Sequence, residues 1–226
     1  TALAATTYGG VSYEAETKGR GDYVAAMKAV AEKHNAIYVD LTNLSADYCE
    51  KFGETTTMSY LYVDGDQTHE RTLGGLRFAE IVVNKLKEAG YLTDYIKTPD
   101  ARVMVNRGSL AFGRLYPSAS KTLSFKVSSF NATSGTVTVS APTGYSVSLE
   151  ENGTYSSSVE ISLSEEFVGT QVFVKFSPSE VAEYNGNITV THTSITPDFG
   201  NTVAGSIDGS SLLIALTGAG KAASTG

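Results

Sequence analysis

Up to about Lys97, apolar residues recur three and four positions apart; beyond it they alternate singly with Ser and Thr. The first texture belongs to amphipathic helices, the second to half-buried strands. GRGDYVAAMKAVAEKHNA predicts a helix with Asp22 as N-cap and Val24, Met27, Val30 and Ala31 along its apolar stripe. AIYVDL, short and apolar, predicts a strand buried on both faces of a parallel sheet. LTNLSADYCEKFGE predicts a shorter helix that stops at Gly53, and YVDGDQTHER a polar loop. TLGGLRFAEIVVNKLKEAGYL predicts a long helix with Leu76, Ala79, Val83 and Leu86 on one face and Lys85 and Lys87 near its C-terminal end. That order fits the closing part of an α/β layered domain. It is less than a whole one, because a single strand makes no sheet.

After Lys97 the runs SLAFGRLYPS, KTLSFKVSSF, GTVTVSAP, YSVSLEENG, SSVEISLS, TQVFVKFSP, GNITVTHTS and SLLIALTGAG are separated by turn residues. About seven or eight short strands of this kind predict an immunoglobulin-like β-sandwich. With no tryptophan and a single cysteine it is not an antibody-type domain. KTPDARVM reads as the linker between residues 1–97, an incomplete α/β segment, and residues 98–226, an all-β sandwich.

The 226 residues carry a formal net charge of −7. This argues against a nucleic-acid partner, which needs clustered Lys and Arg. No apolar run approaches the roughly 18 residues of a membrane span. TALAATTYGG lacks the basic start and apolar core of a signal peptide, so the expectation is a processed chain or one that begins partway through a larger product. Cys49, the only cysteine, lies in a helical stretch with no lysine or histidine beside it, and reads as a packing residue.

The chemistry sits in the polar loop. Asp66-Gln67-Thr68-His69 places a carboxylate and an imidazole three residues apart on a tight loop. In a serine esterase an imidazole takes the nucleophile's proton, while a carboxylate on the other ring nitrogen fixes its tautomer. Asp66 is within reach of His69 Nδ1, and Asp64 is a second carboxylate nearby. His34, at the end of the first helix, reads as a cation at a helix C-terminus. His192 reads as an exposed strand residue. The three histidines have no metal-ligand spacing, so no metal site is expected. Tyr145, Tyr155 and Tyr184 read as strand-end packing in preference to sugar-stacking platforms, and the sequons at Asn131, Asn152 and Asn187 as chance matches in a Thr-rich segment.

GDYVAAMKAVAEKHNAIYVDL and YVDGDQTHERTLGGLRFAEIVVNKL together resemble the C-terminal portion of the SGNH (GDSL-type) hydrolases, in their rhamnogalacturonan acetylesterase-like branch, over roughly residues 8 to 95. The resemblance implies a flavodoxin-like α/β fold, with His69 as general base and Asp66 as its orienting partner. Its Gly-Asp-Ser nucleophile block has no counterpart: GDY at 21–23 and GDQ at 65–67 are the only Gly-Asp pairs. The oxyanion-hole blocks are missing too. The resemblance therefore implies a carbohydrate esterase acting on an acetylated polysaccharide of the pectin type, without a cofactor. Its serine would come from an N-terminal segment of the same esterase domain, outside these residues. SLAFGRLYPSASKTLSFKVSSFN more loosely resembles the accessory sandwiches of secreted Bacteroidetes polysaccharide-degrading proteins, which implies a secreted or periplasmic location. The alternative expectation is a non-catalytic glycan-binding or spacer protein with a vestigial esterase segment.

Overall fold

The computed structural model describes residues 25–66, 68–97, 100–164, 167–192, 196–198, 206–208 and 211–222. The chain divides into two compact units, Thr1–Thr98 and Pro99–Gly226. Asp22, Val24, Gln67 and the GDY at 21–23 lie outside the described residues.

The first unit is helical where described: α1 (residues 25–33), α2 (Leu41–Glu50), α3 (Gly53–Tyr60) and α4 (Thr72–Glu88). The expected strand AIYVDL is not one. Ala36 N donates to Ala31 O at 2.8 Å, closing the end of α1. Asp40 caps α2, accepting from the Asn43 amide at 3.2 Å and the Asn43 side chain at 2.7 Å. An Asp at this place satisfies an amide that the helix leaves open, so Leu41 joins the helix and residues 34–40 connect the two elements. The α2 helix stops at Glu50, short of the expected Gly53, which at φ +75° begins α3, an element the sequence reading missed. Among the described residues the unit has no parallel sheet, and the α/β expectation is corrected accordingly.

The α4 helix forms where expected, with Lys85 and Lys87 in its last turn, but it is rotated from the anticipated face. Leu73, Gly74 and Phe78 are buried, Leu76, Val83 and Leu86 are half-buried, and Ala79 is exposed. The reason is a backbone contact: a Cβ added at Gly74 would stand 2.3 Å from the Leu61 carbonyl oxygen. The helix seats its glycine on the preceding loop and turns Phe78 toward Tyr62, ring centroids 6.3 Å apart. On α1, Met27 is 63% exposed and Val30 57%.

The second unit is the all-β sandwich. One sheet runs β5 (Tyr145–Ser148), β7 (Gly169–Phe176), β3 (Lys121–Phe130), β1 (Arg102–Val105), β9 (Thr196–Asp198). The other runs β10 (Ser206–Asp208), β11 (Ser211–Gly220), β8 (Gly186–Thr191), β4 (Thr136–Ser140), β6 (Ser158–Ser162), with β2 (Ser109–Leu115) also on β11. All eight expected runs form strands. The supposed linker KTPDARVM contributes β1, paired antiparallel with β3 from Arg102↔Phe130 to Val105↔Val127.

Strand period 2 sends alternate residues inward. Phe125 and Val127 of β3, Val172, Val174 and Phe176 of β7, and Leu212, Ile214 and Leu216 of β11 all lie within one buried apolar cluster. The β2–β11 register shifts between Thr217 and Gly218. Gly218 is needed there because a Cβ would lie 2.7 Å from the Tyr145 hydroxyl and 2.9 Å from the Phe176 ring.

Phe125 is 1% exposed at the centre of this core. Phe125→Ala should cost about 3–5 kcal/mol of sandwich stability, read from the urea midpoint of the second unit's transition. A loss below about 1 kcal/mol, the range of surface substitutions, would contradict a closed core at this position.

Candidate functional site

Between α3 and α4 the chain makes a closed loop. Arg71 N donates to Leu61 O at 2.7 Å, Tyr62 and Glu70 form an antiparallel bridge, and Val63 N donates to His69 O at 3.0 Å. At the tip, Asp66 N donates to Val63 O at 2.9 Å. Gly65 takes φ +77° at the third position of that turn, the position a type II turn reserves for glycine.

Asp66 organises what lies inside. Its Oδ1 accepts from the amides of Thr68 at 2.7 Å and His69 at 3.0 Å, and its Oδ2 lies 2.7 Å from His69 Nδ1. The Thr68 amide first, then the His69 amide and ring, hold the Asp66 carboxyl down from 3.8 to about 2. The sequence-predicted pair is thus brought together, and the ring proton belongs on Nδ1 when the imidazole is neutral. The ring is 76% exposed and Asp66 35%. Asp64, the other carboxylate considered, faces away to Arg71 Nη2 at 2.7 Å. The sequence reading missed this ion pair and the Gly74 seat, since both depend on how the loop folds back on the helix.

The remaining candidates fall elsewhere. Cys49 is buried, and desolvation raises its thiol to about 11, which suits a packing residue. His34 is exposed just past α1. His192 is a correction: it is 8% exposed, and a Cβ added at Gly135 would stand 2.5 Å from its Nε2.

Tyr145 is buried, stacked on Phe176 at 4.8 Å, and donates to Tyr184 O at 2.7 Å. The Tyr184 hydroxyl accepts from the amides of Ser179 and Glu180 at 3.1 and 3.2 Å, and Gly144 lies against its ring. Tyr155 carries Lys175 Nζ 3.7 Å above its ring. Asn152 and Asn187 are exposed, while Asn131 is half-buried with φ 55°. Among the described residues no group of three or more His, Cys, Asp or Glu is placed to hold a metal ion, and no helix is long and apolar enough to cross a membrane.

No family model matches the chain, and no curated protein matches it. Solved structures do. The PapD-like domain 7 of human CEP192 is 14% identical, with 59% of this chain and 95% of that one covered at a TM-score of 0.36. A CARDB domain from Pyrococcus furiosus is 14% identical, over 56% of this chain and 100% of that one, at 0.31. The cohesin CaCohA2 of Clostridium acetobutylicum is 11% identical, over 56% and 95%, at 0.30. These three are similarities to all-β domains. The helical unit has no parallel sheet among the described residues, and this overturns the resemblance to the SGNH hydrolases.

The depressed Asp66 carboxyl has a testable sign. Because its folded value lies below the ordinary one, the order it lends the loop is complete above 3.8 and is lost as pH falls through about 2. Carboxyl carbon NMR should give a midpoint near 2, with the Thr68 and His69 amides moving in the same window. An ordinary midpoint would mean that the three hydrogen bonds do not persist in solution.

Proposed function

We propose that the chain works as a non-catalytic module in which the β-sandwich is the functional part and serves as a spacer. The observation that supports this is the path of the chain through it. β1 runs along β3 from the Phe130 end, and Lys121 Nζ reaches Phe112 O at 3.2 Å, so β1 and β2 advance in one direction past the length of β3. β11 runs parallel to β2 and finishes with Gly220 beside Leu115. The chain thus comes into the sandwich at Arg102 and finishes its last strand at the opposite pole. At about 3.3 Å per residue the length of β3 that they pass, Lys121–Phe130, is roughly 30 Å.

A module threaded from pole to pole holds apart whatever lies on either side of it. Dyes on Asp100 and Lys221 of the full chain should report a separation of at least roughly 30 Å, the length of β3. A separation of half that would place both points at one pole and end the spacer reading.

A second reading is favoured by the Asp66–His69 bond alone. A carboxylate on Nδ1 at 2.7 Å leaves Nε2 as the basic nitrogen of an exposed ring. With a serine hydroxyl contributed by other polypeptide, this is the base half of a site for ester hydrolysis, His69 taking the hydroxyl proton and Asp66 holding the ring. The test is acetate release from an acetylated polysaccharide by the chain joined to the polypeptide that supplies the hydroxyl. His69→Ala should lower the rate at least about a hundredfold, the usual scale of general-base catalysis. Equal release from both proteins would finish this reading.

A further inference from the structure

We infer that Arg71, through Asp64, is a positioning residue for His69, and that Gly74 seats the foot of the same clamp. The inference rests on the second reading above and assigns the residues that would aim its base. The imidazole is exposed, so packing does not fix it; its direction comes from Asp66, whose carboxylate accepts from the Thr68 and His69 amides and whose backbone closes the turn at Val63–Asp66. That turn is tied down from one side. Asp64, inside the turn, meets Arg71 at the foot of the loop, with Oδ1 2.7 Å from Nη2. The ion pair thus spans the loop from tip to foot, with His69 between its ends in sequence.

Arg71 is well placed to act as the fixed end. Its side chain is only 17% exposed, against 55% for Asp64, so the guanidinium is held by the protein and the carboxylate comes to it. Arg71 Nε is buried and finds no hydrogen-bond partner among the described residues. The Nη2 contact is an ion pair by distance without hydrogen-bond alignment. Burying such a group without full compensation is costly, and among the described residues its ion pair is with the carboxylate of the turn. The foot closes because Arg71 N reaches Leu61 O at 2.7 Å, and because Gly74 presents no Cβ to that same carbonyl.

The readout is the ring itself. In the full chain at neutral pH, nitrogen-15 NMR of His69 should show the neutral ring's proton on Nδ1. In Arg71→Ala the turn loses its tether, and the Nδ1-protonated form should fall from the dominant tautomer to the minor one. Unshifted amides of Cys49 and Phe78 would show that the helices are intact. Arg71→Lys, which keeps the charge near Asp64, should restore part of the Nδ1 form. Asp64→Asn cuts the same tether from the exposed side and gives the same result should Arg71→Ala fail to fold. A proton that stays on Nδ1 in both Arg71→Ala and Asp64→Asn overturns the inference, while leaving the Asp66–His69 base reading untouched. A tautomer shift in these variants, alongside hydrolysis indifferent to His69→Ala, upholds the inference and removes the base reading.

Discussion

A strand can turn only every second side chain toward one face, and neither sheet of the second unit can bury its own inward set. Phe125 and Val127 of one sheet and Leu212, Ile214 and Leu216 of the other are removed from water only by each other. This mutual burial decides the register of each strand, since a slip of one residue would put the apolar set outside. It also decides which positions must be glycine. Where Phe112, Tyr145, Phe176 and Tyr184 crowd together at one pole, Gly218 and Gly144 leave room that any side chain would take. The pole-to-pole path of β1, β2 and β11 follows from the same closure, because the strand that leaves one sheet at Val105 is taken up by the other at Ser109.

The helical unit is organised differently. Its buried apolar residues among those described are Ala46, Cys49, Leu61, Tyr62, Leu73 and Phe78, a small set for four helices. Polar and backbone constraints therefore carry much of the local order. Asp40 closes the start of α2, the Thr57 hydroxyl donates to the Cys49 carbonyl at 3.1 Å, and the loop before α4 is fastened by backbone bonds at Leu61 and Val63. Structure held this way responds to pH and to single polar substitutions more readily than structure held by buried area. The loop that carries Asp66 and His69 lies in this part of the chain.

Legibility in the sequence follows the same division. The eight strand runs were readable because alternation is a local signal, repeated many times between turn residues. β1 was missed because RVMV is only four residues long and follows a proline and an aspartate that read as linker. The parity of β8 did hold the answer for His192: Ile188 and Val190 point inward, and position 192 continues their series into the buried side. AIYVDL misled because a short apolar run says nothing of a pairing strand, whereas the Asp-Leu-Thr-Asn at its end was a helix start in plain view. The Asp66–His69 contact was readable since a three-residue spacing on a tight turn nearly dictates it. The Asp64–Arg71 pair and the Gly74–Leu61 seat were not, because each joins groups whose approach depends on how α4 returns over the loop.

The two functional readings differ in how much of Asp66 they account for. Both amide bonds to Oδ1 belong to loop closure, and a spacer with no chemistry needs them as much as an enzyme does. The bond from Oδ2 to His69 Nδ1 is another matter. It orders an exposed side chain, and an exposed polar pair returns little stability for the rotamer freedom it removes. Loop closure does not require it, since the carboxylate is already held by two backbone donors. What the bond does achieve is to fix which nitrogen of the ring carries the proton and to leave the other one basic. A purely structural loop would keep its shape with any small polar side chain at position 69, and a proton-transfer site would not.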